Sequence, residues 1–303
     1  MTGFAHPEYL ADTAWLAAHL HDPDVVVLDC TTHLVPNPRT TFDVVPARED
    51  FERGHIPGAQ FVDIMNDLSD TTQPYRFMRP TPAAFAAAIG RFGVGGQTRV
   101  ICYSTTTLQW AARVWWLLRE FGHDNAAVLD GGFAKWLREG RPVATGPSVP
   151  RPPHVFPVRA VRNLMADRDE VLGAIGDTAV CTLNALRPEQ HAGTGGNTYG
   201  RPGRIAGSVN VPASELVDAE GCLLPAEVLR AKFARVGAMD RKVITYCGGG
   251  IAASADALAL VMLGHPNVKL YDASMSEWAR DHGLPMETGP MQQTGRDPQQ
   301  GTL

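Results

Sequence analysis

The chain has 303 residues, 44% hydrophobic and 19% charged, with a formal net charge of -5. This is the composition of an ordinary globular chain of about two domains; it argues against a nucleic-acid binder, which would carry a basic patch, and no apolar run approaches the about 18 residues of a membrane span. The first ten residues show no signal-peptide pattern, and the five cysteines form neither a C-x-x-C pair nor a metal-ligand spacing, so free thiols in a reducing cytoplasm are expected.

Apolar, β-branched runs predict strands at 25–28, 60–64, 100–103 and 126–129. Between them, helical spacing predicts helices at 81–92, 110–121 and 131–139. Pro82 suits the first turn of one, and Trp115, Leu118 and Phe121 share the apolar side of another. Strands alternating with helices imply an α/β fold, a mainly parallel sheet flanked by helices on both faces. Cys30, Cys102 and Cys181 fall in or beside apolar strands and are read as core, as are Trp136 and Trp278. Cys222 falls in a loop. Two long stretches, 31–50 and 192–203, read as loops, and loops of that length are often functional. Residues 141–157 are proline-rich without periodicity, a semi-rigid linker. The alternation resumes from 179 to 281, and 290–303 reads as a disordered tail. Domains are thus expected over 8–140 and 158–289.

The two halves are one unit written twice. Thr98-Arg-Val-Ile-Cys-Tyr-Ser104 matches Arg241-Lys-Val-Ile-Thr-Tyr-Cys247, and Asp130 to Trp136 matches Asp272 to Trp278. Gly54-His-Ile-Pro-Gly-Ala59 matches Gly203-Arg-Ile-Ala-Gly-Ser208, in the same order. Chance rarely keeps such an order, so the chain is a duplicated domain.

The copies differ where chemistry would sit. In the second, the strand 243–246 runs into Cys247-Gly248-Gly249-Gly250 and then a helix with Ile251, Ala255, Leu258 and Met262 on one face. A cysteine there meets free N–H groups and the positive end of the helix dipole. Successive glycines let those amides fold into a nest for an anion, and a thiolate is one. The position should therefore favour a reactive, exposed sulfur. No Lys-Ser/Thr pair follows, so the loop is not a phosphate-binding P-loop. The first copy carries Ser104 and then Thr105, Thr106 and Thr107, with no activating base in view and β-branched residues that disfavour positive φ. Chemistry then has one seat, near the domain interface.

The cysteine loop together with Phe51 to Ala59, Ala112-Arg-Val-Trp-Trp116, Phe121-Gly-His123, Val128 to Phe133 and Ser208-Val-Asn-Val-Pro212 resembles the tandem rhodanese-like sulfurtransferases over residues 8 to 289. The resemblance implies a non-catalytic first domain and a catalytic second. It also implies a two-step exchange: Cys247 takes sulfur from thiosulfate or 3-mercaptopyruvate as a persulfide, and cyanide, a thiol or a thioredoxin-like acceptor removes it. No cofactor or metal is implied. The amides of Gly248, Gly249, Gly250, Ile251 and Ala252 would hold the sulfur anion. Arg201 fits the family's second substrate arginine; Gln190 stands at the place of the first, with Arg187 as a substitute. Arg113 could face a donor anion or make a structural ion pair. His55 could join a proton relay or pin its own turn, and Arg204 could add charge near the cleft.

Departures bear on the donor. Thiosulfate-type loops usually follow the cysteine with basic side chains, where Gly248 and Gly249 stand. Mercaptopyruvate-type loops usually carry a serine at Gly249 and a threonine at Ala252. The missing serine relay favours thiosulfate. Two rivals remain. A phosphatase of related fold would need an arginine closing the loop, and Ala253 occupies that place. A persulfide carrier serving a protein partner would use the same cysteine without turnover on small acceptors.

Overall fold

Short apolar runs cut by polar turns fold here as predicted, into two copies of one α/β unit. The computed structural model describes residues 3–37, 41–196 and 199–290. In the first unit come β1 (Leu10–Ala11), α1 (Thr13–His19), β2 (Val25–Asp29), β3 (Thr32–Asn37) and β4 (Thr41–Pro46). Then follow α2 (Arg48–Arg53), β5 (Gln60–Phe61), α3 (Ile64–Asp67), α4 (Pro82–Arg91) and β6 (Arg99–Tyr103). The unit closes with α5 (Leu108–Glu120), β7 (Ala126–Leu129) and α6 (Gly132–Arg138). Its central sheet is parallel, in the order β1-β7-β6-β2-β5.

The second unit opens with β8 (Met165–Ala166), α7 (Arg168–Gly173), β9 (Val180–Asn184), α8 (Pro188–Ala192), β10 (Arg204–Ile205) and β11 (Val209–Asn210). It continues through α9 (Ala226–Arg235), β12 (Lys242–Tyr246), α10 (Ile251–Met262), β13 (Val268–Tyr271), α11 (Ser274–Trp278) and β14 (Met286–Glu287). Its parallel sheet, β11-β9-β12-β13-β8, repeats the first in mirror listing. Crossovers between neighbouring parallel strands require helices on the sheet faces, and both faces are covered.

Across the interface α5 packs on α10. An apolar cluster runs unbroken from Val26, Trp116 and Leu117 in the first unit to Leu258, Leu260 and Met262 in the second. The outer sheet faces have their own clusters, around Phe51 and Trp136 in one and Tyr246 and Trp278 in the other. Cys30, Cys102 and Cys181 are buried as expected, and Cys222 is half-buried.

Two elements differ from expectation. The strand expected over 60–64 stops at Phe61, because the Asp63 carboxylate accepts the Asn66 N–H at 3.1 Å and starts α3. The expected loop 31–50 contains the antiparallel hairpin β3–β4, whose exposed faces and prolines Pro36 and Pro46 hide the strand pattern. The stretch 141–157 lies against the first unit: the His154 N–H donates to the Gly90 carbonyl, and Phe156 is buried. Most of the expected tail, from 291 on, lies outside the described residues. Among the described residues no helix is long and apolar enough to cross a membrane.

Candidate active site

Cys247 follows the last residue of β12, at the carboxyl edge of the second sheet, where ligands of open α/β sheets bind. Its own N–H donates to Ser274 Oγ at 3.0 Å, and that hydroxyl donates to the Tyr271 carbonyl at 2.7 Å. The loop's carbonyls are turned away and tied down. The Cys247 carbonyl accepts the Met275 N–H at 3.0 Å, and the Gly248 carbonyl accepts the Ser276 N–H at 2.9 Å and its hydroxyl at 2.6 Å. The Gly250 carbonyl accepts the Ser254 hydroxyl at 2.7 Å. By contrast the N–H groups of Gly248, Gly249, Gly250, Ile251 and Ala252 reach no acceptor among the described residues. Carbonyls tied down and amides left without acceptors are what a nest for an anion requires. Gly250 is the one position whose backbone demands glycine. Its φ is +76°, and a Cβ would lie 3.0 Å from the Asp272 carbonyl oxygen and 3.1 Å from Arg113 Nη1.

The loop forms one wall of a cavity of about 540 Å³ between the two units. Gly248, Gly249, Ile251, Ala252 and Ser276 line it, with Arg187, Gln190 and Tyr199 beside them. The first unit closes it with the hairpin residues Leu34, Pro36 and Phe42, and with Phe77, Thr107 and Trp110. The Cys247 side chain itself is 2% exposed. The expected exposure of the sulfur is therefore corrected: Cys247 packs in the apolar cluster shared by the two units, and its neighbours Gly248 and Gly249 line the cavity.

Of the expected donor-binding side chains, two reach the cavity. Arg187 stands at its rim, 68% exposed and 3.7 Å from Glu189, and Gln190 lines the wall. The others are engaged elsewhere. Arg201 is corrected to a structural role: its guanidinium donates to the carbonyls of Trp278, Ala279, Asp281 and Leu284, clamping the chain that leaves α11. Arg204 is likewise buried in β10, donating to the Gly289 carbonyl at 2.7 Å and paired with Glu287 at 3.3 Å. Burial of His191, and then the nearby Arg204 charge, push the His191 pKa down to about 3. His55 pins its own turn, with Nδ1 2.8 Å from the Phe51 carbonyl and its ring stacked on Phe51 at 3.8 Å. It does not line the cavity.

Arg113 resolves to the structural alternative. Fully buried on α5, it lies 2.7 Å from Asp272 and donates to the Phe77 carbonyl. Asp272 also accepts the Arg79 N–H at 2.5 Å. This ion pair ties the two units together directly behind Gly250.

The first-unit counterpart of the loop differs in its hydrogen bonds. The Thr105 N–H donates to Thr31 Oγ1 at 3.0 Å and the Thr106 N–H to Ser104 Oγ at 3.1 Å. Two of the loop's amides are thus engaged, and among the described residues the Ser104 hydroxyl meets only Thr106. Among the described residues no group of three metal-type ligands occurs. Sequence reasoning missed Tyr199, Phe77 and Trp110 as cavity walls; the long loop at 192–203 was the only signal for Tyr199.

A buried cysteine beside unengaged amides, next to a cavity between duplicated α/β units, is an arrangement suited to cysteine-dependent group transfer. The rhodanese-like domain family model matches residues 12–139 and again 170–281, and the chain belongs to that family. Rat thiosulfate sulfurtransferase is 35% identical over 286 residues, covering 89% of this chain and 92% of the rat protein. The 3-mercaptopyruvate sulfurtransferase of Escherichia coli K12 is also 35% identical, over 288 residues, covering 90% and 95%. The crystal structure of the E. coli 3-mercaptopyruvate sulfurtransferase SseA superposes with a TM-score of 0.77 at 34% identity, covering 89% of this chain and 99% of that one. The protein is a sulfurtransferase. Relatives of both donor types lie at the same identity.

Proposed function

We propose that the enzyme moves sulfane sulfur from thiosulfate to a thiophilic acceptor through a persulfide on Cys247. The Cys247 thiolate attacks the outer sulfur of thiosulfate, the S–S bond breaks, and sulfite leaves with the bonding pair. Cyanide or a thiolate, free or on a thioredoxin-like protein, then attacks the outer sulfur of the persulfide and regenerates the Cys247 thiolate. Splitting the transfer in two replaces one difficult displacement with two easier ones. The sulfur is carried covalently, so no cofactor is called for.

The observation that carries this reading is the set of five unengaged amides from Gly248 to Ala252, at the wall of a cavity whose rim holds Arg187. A preorganised nest stabilises negative sulfur without reorganising during transfer. Thiosulfate is favoured over mercaptopyruvate because sulfite departs without a proton. Pyruvate leaves as an enolate that must gain one, and the loop has Gly249 where a serine relay would begin.

Steady-state kinetics with each donor, thiosulfate with cyanide and mercaptopyruvate with a thiol, test the assignment. A higher kcat/KM for thiosulfate is expected, and the mass of one sulfur atom should appear on the peptide holding Cys247. A much higher mercaptopyruvate efficiency would reverse the donor order, and a persulfide that forms but never turns over with small acceptors would make the protein a carrier.

A further inference from the structure

Position 248 is glycine for reasons of space. Its φ lies outside the left-handed region, so the backbone there is open to any residue. A Cβ, however, would lie 2.0 Å from the Tyr199 hydroxyl oxygen, 2.1 Å from its Cζ and 2.4 Å from its Cε1. Tyr199, from the loop between α8 and β10, thus fills the volume that the first atoms of a side chain next to the cysteine would take. Its ring meets Phe42 of the hairpin edge-on at 5.9 Å and lines the cavity beside Gly248 and Gly249. The hydroxyl has no hydrogen-bond partner among the described residues. Tyr199 is half-buried and lines the cavity, so this donor stands open to a ligand there.

We propose that Tyr199 is a catalytic residue of this enzyme: its phenol O–H donates a hydrogen bond to the outer sulfur of the Cys247 persulfide, standing in for the side chain that position 248 lacks. The proposal rests on the sulfur-transfer reading above. The phenol keeps its proton throughout, since burial and then the charge at Cys247 raise its pKa, only partly offset by Arg187. It therefore acts as a neutral donor to an anion, and no proton is transferred in either step. Tyr199 and Gly248 form one unit, because a side chain at 248 and the phenol cannot occupy the same space.

Tyr199→Phe keeps the ring and removes only the donor. A kcat/KM for thiosulfate lower by about ten- to a hundred-fold is expected, from the strength of a hydrogen bond to a charged group, with the melting temperature unchanged. Gly248→Ala should displace the phenol and lower the rate comparably, and the double variant should be little worse than either single one. Cys247 loaded chemically with inorganic polysulfide gives a readout without turnover: its persulfide, followed by intact mass, should decay faster in Tyr199→Phe. Wild-type rates and wild-type persulfide decay in that variant would overturn the role of Tyr199, as would full additivity of the two substitutions. Failure of the wild-type protein to accept sulfur from either donor would instead overturn the sulfur-transfer reading, and the polysulfide measurement would still decide the fate of the Tyr199 contact.

Discussion

Replacing Asp256 with asparagine should stabilise the enzyme, and increasingly so as the pH rises. Asp256 lies on α10, 0% exposed, and neither carboxylate oxygen has a hydrogen-bond partner among the described residues. Burial alone raises its pKa well above the ordinary 3.8. Below that ordinary value the folded and unfolded chains both hold the proton, and the group adds no pH dependence. Above it the unfolded chain releases the proton while the folded chain keeps it. Stability then falls by about 1.4 kcal/mol per pH unit until the buried carboxyl itself ionises. Asparagine has no such titration, so the variant's advantage should grow as the pH rises above about 4, until the buried carboxyl ionises. The amide's own unpaired donor costs about 1–3 kcal/mol at every pH, which moves the intercept and leaves the slope alone. Urea unfolding at three pH values measures the slope. The transition of the second unit is the one to compare, since tandem domains can unfold in separate steps. A stability difference independent of pH would refute the claim that Asp256 is held neutral in apolar surroundings.

Cys247→Ser should abolish sulfur transfer and leave the melting temperature unchanged, because a hydroxyl cannot carry sulfane sulfur; retained turnover would remove the site. Arg187→Ala should raise the thiosulfate KM by about two- to five-fold, the range of an exposed charge interaction. Arg201→Ala should leave that KM alone and cost about 2–3 kcal/mol of stability through the lost bonds to the carbonyls beyond α11; the opposite pattern in either variant would restore Arg201 to the site. Arg113→Leu should cost about 3–5 kcal/mol in urea unfolding, because it leaves Asp272 buried without its counter-charge. Adding Asp272→Asn should recover part of that loss, and no recovery would mean that the pair is not coupled.

Much was legible in the chain alone, because it depends on local periodicity and on repetition. Val25 to Leu28 and Val243 to Tyr246 are strands in any context that buries both faces of a sheet. The match of Thr98–Ser104 with Arg241–Cys247 exposed the duplication, and a cysteine between a strand and three glycines announced the nest. What periodicity could not carry was decided by contacts between distant segments. The hairpin β3–β4 is stabilised by its own ladder and by standing over the other unit's cavity, so its residues show no core pattern of their own. Arginines look alike in sequence; Arg201 is claimed by four carbonyls, Arg113 by Asp272, and Arg187 is left at the rim. Gly248 reads as one more flexible glycine until Tyr199 is seen lying where its Cβ would be. Backbone propensity acts over a few neighbouring residues, whereas burial of a thiol, engagement of a guanidinium and exclusion of a side chain depend on atoms that meet only once both units have closed on each other.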